Sequence, residues 1–448
     1  DAKKHLADLI LKVLRLHDDH PETRLRDLVT EIRLLFERRL YDFALKRVRR
    51  AKAIARREER HAETMQLILL ETWSNFRSGM RLRDFLAQNR ILAAEYAAAR
   101  KALDRLADFE ALYFFRMHPY IRSTQARDVA EAPRAADLLF HPLLDRKQAP
   151  KSVRARDYYH MCWSILNYEA PEAEQAAAVH RELKAHCDLM SESGFLIRER
   201  TATYAMNLLR LGSTHLDLGQ AEAGVAALRT TQNIRFHVIA DRLQVQGVYF
   251  RGILDYVMLT GDVDEFRAFL PVFERDFPRL ERFLHASTTA SVLFMMGICH
   301  WYAGDLKQAT TLLRELPEVG EGSAWQLVTT AARMTQLAIY ADREAWDLLE
   351  HYARTWRRSH ARKQPALAME AEYTRAMYAL VDLPDRQDRR NQLAEILAYM
   401  QSVMDSGDLG LNSAYFTPLM DWLTAMTTGR ELLAVVRENW ERKARGAG

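Results

Sequence analysis

The sequence predicts an all-α protein, a superhelical stack of antiparallel helical hairpins (an α-solenoid). Three glycine turns separate pairs of amphipathic segments, and the turn glycines Gly219, Gly261 and Gly304 lie 42 and then 43 residues apart. Recurrence at such a period is typical of stacked helical hairpins. The composition agrees, since 448 residues include only 17 glycines and 12 prolines, and residues of high helix propensity dominate.

The first 150 residues predict an N-terminal group of helical hairpins. Apolar residues recur at helical spacing over residues 3–16, 25–40, 41–60, 63–77, 82–106 and 108–117. The next stretch, residues 118–154, contains four prolines, which prevent long helices. We therefore expect a soft boundary near residue 150, which separates residues 1–150 from a helical-repeat region over residues 151–448 that continues the first.

Helical periodicity resumes at residues 156–166 and 171–191, and the repeat pattern can be recognised from residue 201 onward. A helix that ends near residue 218 is expected to pair across Gly219 with residues 222–234. Five further helical pairs are then expected: 243–259 with 263–273, 288–302 with 306–316, 325–340 with 343–358, 367–381 with 389–404, and 411–426 with 430–442. A glycine suits each turn because the chain must leave the first helix in a left-handed conformation. Short loops then force neighbouring helices to pack antiparallel.

Two hairpins also carry small residues where helices would approach closely. These are Gly212 with Gly224, and Gly297 with Ala309. Their neighbours also fall at consensus spacings: Leu208, Leu211, His215, Gly219 and Leu228, and Leu293, Met296, His300, Gly304 and Leu313. On these residues the chain resembles the tetratricopeptide repeat over roughly residues 200–360. The copies around Gly261 and Ala341 depart from the pattern, because large residues replace the small ones at Leu254, Phe266, Met334 and Trp346.

The resemblance implies a concave face lined by the first helix of each hairpin, and a protein or peptide partner bound there without catalysis. It assigns the following residues to that face: Leu209, Ser213, Arg251, Asp255, Phe294, Ile298, Trp301 and Tyr302. Aromatic and arginine side chains make effective binding anchors. The alternative for Phe294 and Trp301 is packing between repeats. The family's basic clamp for a peptide carboxylate is not reproduced.

A basic segment over residues 38–60 suggests a second hypothesis, nucleic-acid binding. Ten of its residues are basic, and Arg39, Lys46, Arg50 and Arg57 share one face of the expected helix. Such a stripe can contact phosphates. The alternative is an ordinary solvated helix face, whose arginine stems cover apolar neighbours.

Other residues give no sign of an enzyme, a cofactor or a metal site. The cluster at residues 17–20 (His, Asp, Asp, His) ends a helix and lacks further ligands at metal spacing. Cys162, Cys187 and Cys299 are too scattered for a disulfide framework and fit a reducing compartment. No apolar run reaches the ~18 residues of a membrane span. We therefore expect a non-enzymatic, cytoplasmic binding protein, with its oligomeric state left open.

Overall fold

The computed structural model is helical throughout the part of the chain that it describes. It describes residues 5, 6, 9, 21–117, 138–167, 172–284, 286–316, 326–360, 368–405 and 414–446. Within these residues every regular element is a helix, which confirms the all-α prediction. The expected helix at residues 3–16 and the cluster at residues 17–20 lie largely or wholly outside the described residues.

The chain forms two compact units, residues 1–204 and residues 205–448. Their boundary, between Tyr204 and Ala205, lies inside a helix, and residue 150 lies within the first unit. The first unit contains helices α1 (Pro21–Glu37), α2 (Tyr41–Arg57), α3 (His61–Arg77), α4 (Leu82–Leu112), α5 (Val153–Leu166), α6 (Glu172–Ser193) and α7 (Phe195–Glu199).

Helices of the first unit pack in chain order. Each of α1 to α6 contacts the next along the chain. Apolar stripes at helical spacing explain this order, since Leu25 and Ile32 of α1 are buried against Val48 and Ala51 of α2. The segments 82–106 and 108–117, expected as two helices, form the single helix α4 and a π-helical turn at Tyr113–Met117. No proline or glycine interrupts them.

The second unit begins within α8 (Thr201–Asp217), which spans the boundary. It continues with α9 (Ala221–Thr230), α10 (Ile239–Thr260), α11 (Val263–Leu280), α12 (Ala286–Tyr302), α13 (Leu306–Arg314), α14 (Gln326–Asp342), α15 (Trp346–His360), α16 (Ala368–Ala379), α17 (Arg386–Asp405), α18 (Thr417–Thr428) and α19 (Leu432–Gly446). These bounds agree with the helical pairs predicted from the sequence to within a few residues at most ends.

Left-handed glycines join the helices at the predicted turns. Gly219, Gly261 and Gly304 have φ values of +71°, +67° and +81°. The small residues act as expected: a Cβ added at Gly212 of α8 would lie 3.0 Å from the carbonyl oxygen of Gly224 in α9. In the copy around Ala341, Glu344 instead of a glycine adopts a positive φ, of +56°. The glycine spacing therefore predicted the turns correctly.

Four helices of the second unit form a row in which each contacts the next: α10, α12, α14 and α16. Each of them also contacts the helix that follows it in the chain, namely α11, α13, α15 and α17. The chain then returns: α18 packs on α14, and α19 packs on α10. We call the side of the row against which α18 and α19 pack the inner face. We call α18 and α19, joined at Gly429, the C-terminal hairpin.

Candidate functional site

The C-terminal hairpin covers the inner face through aromatic contacts. The ring of Tyr415, just before α18, lies 5.7 Å from that of Phe294, and the ring of Trp422 lies 6.4 Å from that of Trp301. Tyr415 also shares a hydrogen bond of 2.9 Å with Ser291. The second unit therefore places a segment of its own chain where the sequence predicted a partner.

Most residues assigned to the concave face are consequently core residues. Phe294 is fully buried, Trp301 is 3% exposed and Tyr302 is 5% exposed, and Leu209 is buried as well. The expectation that these side chains line an open groove does not hold in this structure, because all four are buried and residues 415–446 pack over Phe294 and Trp301. The packing alternative considered for Phe294 and Trp301 describes their position.

Three residues of the predicted set remain accessible. Ser213 is half-buried and donates a hydrogen bond of 3.3 Å to the carbonyl of Leu209. Arg251 and Asp255 face each other along α10, with Arg251 Nε 3.9 Å from Asp255 Oδ2. Desolvation raises the pKa of Asp255 to about 6, and this outweighs the opposite effect of Arg251.

A second charged pair accompanies Asp255. The side chain of Asp217, at the end of α8, lies 3.8 Å from Lys443 of α19. Desolvation raises the pKa of Asp217, which Lys443 partly opposes, and both groups act on Asp255. Lys443 of the C-terminal hairpin therefore acts electrostatically on Asp255 of α10.

The basic segment keeps an exposed cationic face, with one change. Lys46, Arg50 and Arg57 are exposed on α2, but Arg39 lies in the preceding turn, in the left-handed region at φ +59°. Arg39 is therefore not part of the helical stripe. Arg57 pairs with Glu58 at 3.1 Å. Within the described residues, Lys46 and Arg50 form no ion pair, so their charge faces solvent.

The opposite side of α2 is buried and contains one ionised residue. Lys52 forms ion pairs with Glu71 of α3 and with Glu95 of α4, the second at 3.1 Å. Arg56 also pairs with Glu95, and the two cations lower the pKa of that carboxyl although desolvation opposes them. This cluster joins three helices, and it does not include the exposed Lys46 and Arg50.

A surface that the sequence reading missed lies on α3 and α4. Trp73 and Phe76 of α3 are 55% and 60% exposed, and their rings meet edge to face at 6.2 Å. Phe76 also contacts Phe85 of α4 at 6.0 Å, and the guanidinium of Arg77 lies 5.8 Å from the rings of both Trp73 and Phe76. With Leu69, exposed one turn before Trp73, these residues form what we call the aromatic patch.

A signal for this patch was present in the sequence. Leu69, Trp73 and Phe76 recur at helical spacing on α3, on the side opposite Leu67 and Ile68, which are buried. A helix with apolar stripes on both sides must expose one of them unless a second partner covers it. The exposed stripe of α3 is therefore the clearest candidate for contact with another molecule.

Buried pairs of acidic and basic side chains occur in the first unit. His186 Nε2 lies 2.7 Å from Asp157 Oδ1, and Arg200 donates to the other oxygen of Asp157 at 2.6 Å. A second pair, His160 with Glu182 at 3.1 Å, stacks its ring on His186. These side chains contact one another between α5, α6 and Arg200, which lies between α7 and α8.

The three cysteines are buried and form no disulfide with one another. Burial raises the pKa of Cys162 to about 12 and that of Cys299 well above its ordinary value. These two residues are therefore thiols, not reactive thiolates, at neutral pH.

In the described ranges, no group of three or more His, Cys, Asp or Glu side chains is placed to hold a metal ion. Nor does any described helix combine the length and apolarity needed to cross a membrane. Comparison of the chain with protein-family models, with curated proteins and with solved structures finds no match.

Proposed function

We propose that this chain is a tetratricopeptide-like helical-repeat scaffold that binds a protein partner without catalysing a reaction. Three features support the repeat assignment: left-handed glycines at regular intervals, close approach at Gly212, and a row of helices each contacting the next. Stacked helical repeats present long surfaces suited to protein partners. Two surfaces are candidates for this partner, the inner face and the aromatic patch.

The inner face is a poor candidate, because a partner would have to displace the C-terminal hairpin. That displacement would expose Phe416, Leu419, Trp422 and Leu423, all of them 1% exposed or less. Each large apolar side chain returned to water costs about 1.5–3 kcal/mol. A competing partner would have to recover this energy before contributing any net affinity.

The aromatic patch is the observation that carries the proposal. Exposed aromatic side chains next to an arginine have the composition of energetically dominant interface residues. Contiguous exposed apolar surface on a water-facing helix is otherwise unfavourable. The turn between α3 and α4 ends at Arg81, and the first turn of α4 adds Arg83, against one acidic residue, Asp84. We therefore propose that the partner is an acidic protein segment with apolar side chains, which docks on Trp73 and Phe76.

The test is chemical cross-linking of the full chain in its native host, followed by identification of the cross-linked peptides. The double substitution Trp73→Ser with Phe76→Ser removes two exposed side chains and should leave the fold intact by circular dichroism. We expect this variant to lose a cross-linked partner whose contact peptide is acidic and apolar. A matched control, Phe283→Ser with Leu348→Ser, alters two exposed residues of the second unit and should retain it. An unchanged partner in the patch variant would overturn the assignment.

Nucleic-acid binding is the second candidate, and the exposed face of α2 favours it. Lys46, Arg49 and Arg50 are exposed without ion pairs among the described residues, and Lys46 lies 5.9 Å from the exposed ring of Phe43. An aromatic ring beside unpaired cations suits a single strand, whose bases can stack. This arrangement was not evident from the basic residues alone.

Fluorescence anisotropy with single-stranded and duplex oligonucleotides tests the second candidate. Binding should weaken steeply as salt rises and should be abolished by the triple substitution Lys46→Glu, Arg50→Glu and Arg57→Glu. A control of equal charge change uses exposed arginines elsewhere: Arg267, Arg282 and Arg375. Absence of binding at low salt, or equal loss in the control, removes nucleic acid as a partner.

A further inference from the structure

A cavity of about 510 Å³ lies in the second unit, and none of its lining residues belongs to either proposed surface. Its walls come from the first turns of α10, the last turns of α11, and the 3₁₀ turn Thr231–Asn233 with the residues that follow it. This volume falls within the range of ~300–1,000 Å³ typical of small-molecule sites. The cavity is therefore large enough for an organic ligand.

Apolar side chains form one part of the lining. Leu243, Val245 and Leu280 are buried, and Ile234 and Phe236 are half-buried. Such a surface favours an apolar group of the ligand, because contact removes both surfaces from water.

Charged side chains form the other part, and they are mostly cationic. Arg242, Arg275 and Arg279 line the cavity, and Asp276 is the one acidic residue among the described lining residues. Arg275 holds Asp276 by two hydrogen bonds of 2.8 and 2.9 Å, and Gln246 donates a third at 3.2 Å. The hydrogen bonds from Arg275 lower the pKa of Asp276, so its carboxylate stays ionised and engaged.

Two guanidinium groups are left for a ligand. Arg242 forms no ion pair within the described residues, and Arg279 acts on Asp276 only at longer range. The two lie on different helices, α10 and α11, and line the same cavity. Guanidinium groups match the geometry of carboxylates and phosphates, to which each can donate two hydrogen bonds.

We propose that this cavity binds a small organic anion with an apolar body. The carboxylate or phosphate of the ligand would lie between Arg242 and Arg279, and its apolar part would contact Leu243, Val245 and Leu280. The site goes beyond the proposed scaffold function and does not depend on it, since it shares no residue with the aromatic patch or with α2.

Isothermal titration of the full chain with three eight-carbon probes tests this proposal. Octanoate and octyl phosphate carry the anion, and 1-octanol carries the same chain without charge. We expect at least one anion to bind at least ten times more tightly than 1-octanol. Which anion binds better then identifies the head group as carboxylate or phosphate.

The double substitution Arg242→Ala with Arg279→Ala should weaken the anion at least tenfold and leave 1-octanol unchanged. Both side chains are exposed, so the fold should persist. The control Arg267→Ala alters an arginine of α11 that pairs with Asp264 outside the cavity, and it should bind like the parent. Equal affinity for all three probes, no binding of any of them, or unchanged anion affinity in the double variant would overturn the proposal.

Discussion

Trp422 of α18 lies with its ring centroid 6.4 Å from that of Trp301 in α12, and both indoles are buried. The Trp422 Nε1 also donates a hydrogen bond of 3.2 Å to Asp342 at the end of α14. One side chain of the C-terminal hairpin therefore contacts two helices of the inner face. The hairpin is part of the core of the second unit. Substitution of Trp422 therefore measures what the hairpin contributes to the free energy of unfolding.

Substitution of Trp422 by alanine should destabilise the protein strongly. Truncation of a buried aromatic residue removes its apolar contacts and leaves a cavity, which typically costs about 3–5 kcal/mol. Urea denaturation followed by circular dichroism gives the free energy of unfolding. Phe283→Ala is the control, since Phe283 is exposed in the same unit, and it should change the free energy by less than about 0.5 kcal/mol. If Trp422→Ala lowered the free energy of unfolding as little as Phe283→Ala does, the hairpin would not pack on the inner face.

Two turn glycines should respond differently to alanine. Both Gly219 and Gly304 have positive φ, so alanine at either position costs about 1–2 kcal/mol. A Cβ at Gly219 would in addition lie 2.5 Å from the Cα of Ala444 in α19, whereas a Cβ at Gly304 meets nothing within 4 Å. Gly219→Ala should therefore be more destabilising by a further ~1–3 kcal/mol.

The comparison is made by urea denaturation of the two variants, and hydrogen exchange locates the effect. Exchange should accelerate in α19 for Gly219→Ala and not for Gly304→Ala, because only the first substitution separates α19 from the turn. Indistinguishable free energies of unfolding would contradict the close approach of Ala444.

Asp421 should give the second unit a pH dependence. Its carboxyl lies in α18 and accepts a hydrogen bond of 2.7 Å from Asn439, but desolvation raises its pKa from 3.8 to about 6. The folded state therefore holds this proton more tightly than the unfolded state. As pH rises from 4 to 6, the unfolded state loses its proton first, so the contribution of Asp421 to stability falls; above pH 6 the penalty is constant at about 3 kcal/mol.

Asp421→Asn should remove this penalty and keep an acceptor oxygen for Asn439. We expect the variant to be more stable than the parent at pH 7.5 and to differ little from it at pH 4, as measured by urea denaturation at each pH. A variant that is less stable at pH 7.5 would mean that the ionised carboxylate is favoured in the folded state, contrary to this account.

Glu59 should stabilise the first unit as a cap for α5. Its carboxylate accepts hydrogen bonds from Ser152 Oγ at 2.7 Å and from the backbone amides of Val153 and Arg154 at 3.0 and 2.9 Å. A carboxylate at a helix N-terminus satisfies free amides and interacts favourably with the helix dipole. Glu59→Ala should therefore cost about 1–3 kcal/mol.

Glu59→Gln offers a graded test, because the amide keeps one acceptor oxygen and loses the charge. Its free energy of unfolding should lie between that of the parent protein and that of Glu59→Ala. Asp104→Ala is the control, since Asp104 faces solvent and pairs with Arg100 only at 4.0 Å, and it should cost less than about 0.5 kcal/mol. A Glu59→Ala variant as stable as this control would exclude the capping role.

Local pattern sufficed to predict most of the helices and turns that the structure describes, although the two helices expected over residues 82–117 form one helix with a π-helical turn. Gly219, Gly261 and Gly304 each adopt the left-handed conformation for which glycine is suited, and Gly212 allows the approach of α9 that its position implied. These features depend on residues close in sequence, so periodicity and turn chemistry reveal them. His300, one of the residues at consensus spacing, is buried in edge-to-face contact with Phe266.

The occupant of the inner face could not be predicted in this way. Phe294 and Trp301 are covered by residues 415–446, more than a hundred positions later, and no local pattern specifies which helix returns to which face. The aromatic patch was missed for a different reason. Trp73 and Phe76 fit a helical stripe, and a stripe does not reveal whether a second helix covers it.

Hydroxyl-radical footprinting of the full chain, read by mass spectrometry, tests the central claim most directly. The claim is that the surface open to a partner is the aromatic patch, because the chain covers its own inner face. It predicts rapid oxidation of Trp73 and Phe76 and strong protection of Trp301 and Trp422. Comparable oxidation of Trp301 and Trp73 would contradict it, since the inner face would then be open to solvent.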